Sequence, residues 1–183
     1  MAPSAEQEKW DERYRTADRP AQAAQVLIDN LQRLPPTGTA LDLACGLGGN
    51  ALQLARQGLQ VEAWDISPVA ITKLSQQAGN LPIQGRIIDI NIEPLPVAAF
   101  DVITVSYFLE RRLAPALIEA LRPNGLLFYQ TYNQNQLGRG PSTPAWRLQP
   151  GELRQLFAAL KICDYREEAD VAMLVAQKTS SEQ

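Results

Sequence analysis

The chain has 183 residues, 45% of them hydrophobic, and a formal net charge of −3. That length suits one domain burying roughly 70% of its unfolded surface. The acidic balance leaves no basic footprint for DNA or duplex RNA, and the lack of histidine removes imidazole bases and His-ligated metals.

Residues 1–20 are polar, with Trp10 and Tyr14 four apart and so on one helical face. The start, MAPSAEQEKWDERY, shows no signal-peptide pattern, and no apolar run reaches the ~20 residues that span a bilayer. We read 1–20 as an arm or lid, 21–178 as the domain proper and 179–183 as a disordered tail. Pro20 starts a predicted helix over Ala21–Leu34, with Ala24, Leu27, Ile28 and Leu31 spaced at 3.6 residues and Pro35, Pro36 and Gly38 ending it. Ala40–Ala44 is a predicted strand, Asn50–Gln57 a helix closed by Gly58, and Gln60–Asp65 a strand. Ser67 caps a helix from Pro68 to near Gly79. Strands Ile83–Asp89 and Phe100–Ser106 follow. Then come a helix over Arg111–Leu121 that stops before Pro123-Asn124-Gly125, and an apolar strand over Leu126–Tyr132. Residues 133–149 are a long loop, of the length usually reserved for function or mobility. Pro150-Gly151-Glu152 opens a short helix to about Ala159. Lys161–Glu167 and Val171–Gln177 are separated by too few residues for a crossover helix, so they pair antiparallel.

Five β-then-α units and a terminal hairpin imply an α/β fold: one Rossmann-like, doubly wound sheet, mostly parallel, with an antiparallel C-terminal strand. Ligands of such sheets bind beyond the carboxyl ends of the strands. Asp42–Asn50, Asp65–Ser67, Asp89–Asn91 and Ser106–Glu110 share that rim. The glycine turn Cys45-Gly46-Leu47-Gly48-Gly49-Asn50 lets backbone approach a ligand, or is simply a tight strand-to-helix turn. Asp65 can accept two ribose hydroxyls, or else caps the next helix. Asp89 is a third acid, in a residue type common in turns. Cys45 has no imidazole partner, so close packing explains it better than nucleophilic catalysis. Two cysteines build neither a four-thiolate zinc site nor a disulfide framework, which points to an intracellular chain. Tyr107 and Phe108 wall a pocket or pack in the core. Arg111-Arg112 reads as a solvated helix start. Arg139 can draw in an anionic substrate, and Trp146 suits a lid.

These residues resemble the class I S-adenosylmethionine (SAM) dependent methyltransferases over about residues 10–177. LDLACGLGGN is similar to that family's first motif, VEAWDIS to its second with the ribose-binding acid, RIIDIN to its third, and LRPNGLLFYQTY to the segment leading into its fifth strand. The resemblance implies a seven-stranded sheet of order 3-2-1-4-5-7-6 with SAM as cofactor. The implied cofactor residues are Asp42, Ala44, Cys45, Gly46, Gly48 and Asn50 in the first motif. Asp65, Ile66, Asp89, Ile90 and Ser106 follow at the later strand ends. WDERYRT, DINI, PGELRQLF and VAMLVAQK are further similar to the small tellurite-resistance methyltransferases, where Trp10 to Tyr14 belong to a lid. That group carries a longer, histidine-bearing excursion where this chain has only Glu167-Glu168-Ala169-Asp170.

Methyl transfer from a sulfonium is an in-line displacement that mainly needs alignment. Without histidine, the acceptor is expected to be a soft or already ionised small molecule, a thiol or metalloid oxyanion. Tyr107, Glu110 and Tyr14 are the candidate bases. Trp10, Tyr14, Tyr107, Arg139 and Trp146 are the candidate substrate or lid residues. No metal, nucleic acid or membrane is expected, and the chain is read as a cytoplasmic monomer or homodimer. Two alternatives remain. GLGGNA also fits the dinucleotide fingerprint of an NAD-dependent oxidoreductase, although Asp42 repels a pyrophosphate and no second substrate domain is present. A non-catalytic SAM sensor needs the same cofactor residues.

Overall fold

The computed structural model describes residues 3–17 and 22–180. Seven strands form one sheet: β1 (Thr39–Leu43), β2 (Gln60–Asp65), β3 (Ile83–Ile87), β4 (Phe100–Ser106), β5 (Leu121–Tyr132), β6 (Lys161–Glu168) and β7 (Val171–Gln177). Their order is β3-β2-β1-β4-β5-β7-β6, as expected. The pairs from β3 to β5 are parallel, whereas β7 runs antiparallel to both β5 and β6. The helices are α1 (Ala5–Arg15), α2 (Gln25–Ile28), α3 (Gly49–Arg56), α4 (Pro68–Ala78), α5 (Ala114–Ala120) and α6 (Glu152–Leu156).

Alternation along each strand divides the core between the two faces. Leu41 and Leu43 of β1 pack with Leu117 of α5 and with Leu153 and Phe157 near α6. Ala40, one residue out of phase, packs on the other face with Leu27, Leu54 and Leu74 from α2, α3 and α4. Asp42 shares the phase of Ala40, so its carboxylate faces the α3 side. This alternation brings an acid beneath the start of α3.

Three expectations need correction. The helix expected over Ala21–Leu34 is only α2 and a 3-10 turn, Leu31–Arg33. Pro20 and Ala21 lie outside the described residues. The amides that would begin a longer helix are taken from elsewhere: Ala24 N donates to Asn50 Oδ1 (2.8 Å) and Val26 N to Gln130 Oε1 (2.9 Å). Only four of the five expected β-then-α units form. β3 ends at Ile87, and the Pro94- and Pro96-bearing link to β4 has no helix. The helix expected over Arg111–Leu121 begins as a 3-10 turn, Arg111–Leu113, and β5 starts at Leu121 with a register irregularity opposite Phe100/Val102. Of the expected tail, residues 181–183 lie outside the described residues.

Candidate active site

The turn after β1 is backbone-driven. Ala44 (φ 52°), Gly46 (φ 52°) and Gly48 (φ 78°) are all left-handed. For Ala44 this is a conformation that L-residues rarely hold outside constrained sites. Cys45 N donates to Trp64 O (2.9 Å) and Gly46 N to Asp65 Oδ2 (2.8 Å), so the turn is tied to the end of β2. Gly49 is close-packed: a Cβ there would lie 2.0 Å from Gln22 O. Asn50 is the hub. Its amide nitrogen donates to Asp42 Oδ1 (3.3 Å) and Ser106 Oγ (2.9 Å), while its oxygen receives Ala24 N. Asp42 also accepts from Ala51 N (3.0 Å) and Thr104 Oγ1 (3.0 Å). Three protein donors thus hold the Asp42 carboxylate in place beneath the turn.

Asp65 Oδ1 accepts from Ser67 N (2.9 Å), which leaves each of its oxygens one further lone pair for a diol. Ser67 caps α4 through Ala70 N (3.1 Å) and donates to the buried Asp11 of α1. Lys73 Nζ of α4 holds the far end of α1 at the carbonyls of Tyr14 (2.6 Å), Arg15 (3.3 Å) and Ala17 (3.3 Å). Between these two ties, the Tyr14 hydroxyl rests above Gly46, 2.9 Å from where a Cβ would stand. Trp10 stacks on Tyr14 (centroids 5.8 Å), and Lys9 bridges to Trp146, 5.3 Å from its ring. The arm and the long loop thus meet over the rim. Ile66 lies half-buried after β2. Asp89 follows Ile88, whose amide donates to Asp65 O (2.9 Å). The Asp89 carboxylate accepts from Asn91 N (2.9 Å), and Ile90 packs against the core.

Beyond β4, Tyr107 is left-handed (φ 54°) and 45% exposed. Its ring tilts against Tyr132 at 4.9 Å, and its oxygen accepts from Gln130 Nε2 (2.7 Å). Glu110 is chelated by Arg112 (3.0 Å to each of two nitrogens), which holds its carboxyl below the usual range. Arg111 is not merely solvated; it pairs with Glu152 and donates to Ala145 O (2.6 Å) and Arg147 O (3.0 Å). Arg139 pairs with the buried Asp170 through two nitrogens (2.7 and 2.6 Å). The long loop is organised by Arg147, which sequence reasoning passed over. Only 2% exposed, it donates to the carbonyls of Asn133 (2.9 Å), Asn135 (2.9 Å), Pro141 (2.7 Å) and Arg139. Gln130, Asp11 and Lys73 were passed over as well. Only Gln130 left a clear signal, as an amide in the apolar run Leu126–Tyr132.

A family model described as "Methyltransferase domain" matches residues 15–174. The chain belongs to the class I SAM-dependent methyltransferases. Its curated relatives include the mitochondrial ubiquinone biosynthesis O-methyltransferase of Schizosaccharomyces pombe, 36% identical over 109 residues (54% of this chain, 39% of that protein). The enzyme of the same name from Xanthomonas axonopodis pv. citri is 32% identical over 111 residues (56% of this chain, 46% of that protein). The chain thus spans less than half the length of either relative. Among solved structures, TehB from Haemophilus influenzae superposes with a TM-score of 0.75 at 20% identity, covering 94% of this chain and 67% of that one.

A methyltransferase must hold a cation that also carries hydroxyls and an amino group, and the charges around this rim suit one. Burial first, then the Asp65 charge, push the Asp42 carboxyl up to about 7 despite three donors. Burial likewise raises Asp65, with Asp11 adding to it. The Cys45 thiol is raised by burial and by both carboxylates, and the Tyr14 hydroxyl by burial and Asp65. Among the described residues, none of Asp11, Asp42 and Asp65 forms an ion pair. The same acids oppose a pyrophosphate, which counts against the dinucleotide reading. No group of three metal-ligating side chains, and no helix long and apolar enough to cross a membrane, occurs among the described residues.

Proposed function

We propose that this chain transfers the methyl group of SAM to a small-molecule acceptor that is a soft or already ionised nucleophile, such as a thiolate or a metalloid oxyanion. The observation that carries the reading is the set of buried, unpaired acids at one rim, Asp42 and Asp65 above all, which favours a cationic ligand. Asp65 would take the ribose hydroxyls, the Gly46–Gly48 turn the amino-acid end, and Asp89 with Ile90 the adenine. Asp42 would act on the ligand's cationic end through its charge. SAM supplies an activated methyl group. A lone pair of the acceptor forms the new bond to carbon, the carbon–sulfur bond leaves its pair on sulfur, and an ionised acceptor loses its charge without releasing a proton.

No base is required for such an acceptor. Glu110 is held ionised and bound by Arg112, and burial disfavours loss of the Tyr14 proton. In this reading α1 and residues 133–149 form a lid, with 21–178 as the catalytic unit. The chain works in the cytoplasm as a monomer or homodimer, without nucleic acid or membrane partners. The resemblance of WDERYRT, DINI, PGELRQLF and VAMLVAQK to the tellurite-resistance methyltransferases supports a metalloid acceptor. The short Glu167–Asp170 turn, with no histidine, favours a thiolate instead.

The decisive experiment is calorimetric titration with SAM, S-adenosylhomocysteine and NAD. Micromolar binding of the first two and none of NAD is expected. Binding of NAD alone, or of none of the three, would refute the proposal.

A further inference from the structure

The hydrogen bonds around the Gln130 amide fix the direction of the Tyr107 hydroxyl proton. Val26 N–H can only donate, so the Gln130 atom facing it at 2.9 Å must be the amide oxygen. The Gln130 nitrogen therefore faces Tyr107, 2.7 Å away. An amide nitrogen does not accept, so the Tyr107 oxygen is the acceptor in that contact. Its own O–H must point elsewhere, and among the described residues it donates to nothing. Gln130 is itself 3% exposed and held on both sides, so this orientation is built in.

The surroundings describe what that proton meets. Tyr107 and Tyr132 make a tilted ring pair at the carboxyl ends of β4 and β5, with the Arg147 guanidinium 5.3 Å from the Tyr132 ring. Arg139 and Arg13 lie near enough for their charges to oppose the upward shift that burial imposes on Tyr132. Asp170 neutralises part of Arg139. The wall is aromatic and its charge is net positive, in a chain that is acidic overall.

We propose that Tyr107 is the acceptor-positioning residue. Its hydroxyl donates to an oxygen beside the nucleophilic atom of a planar, anionic aromatic acceptor lying against the exposed Tyr107 ring, since Gly140 packs directly on the Tyr132 ring behind it. This rests on the methyltransferase reading above and adds the acceptor class. Tyr107 moves no proton in the reaction; it selects acceptors with a lone pair adjacent to the nucleophile.

The test uses 2-mercaptobenzoate, whose carboxylate neighbours the thiolate, against thiophenol, which lacks it, with production of S-adenosylhomocysteine as readout. The wild type should prefer 2-mercaptobenzoate about tenfold in kcat/KM, the scale of one hydrogen bond to an ionised group. Tyr107→Phe should reduce that preference several-fold through KM, with kcat and SAM affinity unchanged and only the share owed to the positive wall remaining. Gln130→Glu should do the same with the phenol kept, because a second carboxylate oxygen would draw the Tyr107 proton inward. The proposal is overturned by equal preference in wild type and Tyr107→Phe, by a fall in kcat alone, or by turnover of selenite and neither aromatic thiol. It is equally overturned if SAM binds and no probe reacts. Failure of SAM to bind at all would instead strike the methyltransferase reading.

Discussion

Acidification should move stability and cofactor affinity in opposite directions, because Asp42 is buried beneath the start of α3 with its carboxyl pushed up to about 7. The folded value lies above the unfolded one, so folding binds a proton between about pH 4 and 7. The associated stability is fully present below the unfolded value and is lost as pH rises through 7. Unliganded protein should gain up to about 1.4 kcal/mol per pH unit on going from pH 7 to 5.5. Asp65 is shifted in the same direction, chiefly by burial. The depressed carboxyls Asp29, Glu110, Glu152 and Asp170 stabilise above their ordinary values of 3.8 or 4.5 and lose that effect only below them, outside this window. Affinity for SAM runs the other way. Its ammonium stays protonated below about pH 7.7, so the titrating partner is the carboxylate, and protonating Asp42 removes an attraction. If the bound-state pKa falls below 5, Kd should worsen about 15-fold between pH 7 and 5.5. Calorimetry for Kd and thermal melts for stability, on wild type and Asp42→Asn, measure both slopes. A flat wild-type Kd, or slopes retained in Asp42→Asn, would refute the argument.

Three further outcomes follow from single contacts. Gly49→Ala places a Cβ 2.0 Å from Gln22 O and 2.2 Å from its carbonyl carbon. Backbone must move, and calorimetric melting should show a loss of about 1–3 kcal/mol. Arg147→Met removes the donor to four loop carbonyls. Hydrogen exchange over residues 133–149 should accelerate about tenfold or more while β4 and β5 stay protected. Lys73→Met frees the C-terminal carbonyls of α1, a cation–carbonyl interaction of about 1 kcal/mol. Limited proteolysis within residues 3–17 should quicken about fivefold, with the melting temperature of the sheet barely changed.

What the sequence disclosed and what it withheld divide by distance along the chain. The strands and helices were readable because apolar runs, Gly58, Pro68 and Gly125 punctuate the chain locally, whereas the order of the strands was implied only by the resemblance to the class I methyltransferases. The rim was readable because a ligand-facing turn needs glycine where φ is positive, and Gly46 and Gly48 stand there. The truncation of α2 was not readable. Its amides are taken by Asn50 and by Gln130, 26 and 104 residues away, and nothing near Ala24 announces either. The order within residues 133–149 was hidden for the same reason. A composition of Gln, Asn, Gly and Pro looks mobile until a buried guanidinium collects its carbonyls.

Asp42 shows how the two kinds of information combine. Its place in LDLACG marks it for the cofactor's cationic end, yet the fold surrounds it with Asn50, Ala51 and Thr104 as donors. Asp42 lies within β1 and is 1% exposed, so it acts on a ligand through its field, which depends on its ionisation, whereas Asp65 ends β2 with a lone pair on each oxygen for contact. Substitution should therefore separate the two acids. Asp42→Asn should remove the pH dependence of SAM binding and leave ribose recognition intact, while Asp65→Ala should weaken binding severely at every pH. If the two variants gave the same profile, calorimetry across pH 5.5–7 would show it, and the division between field and contact would be wrong.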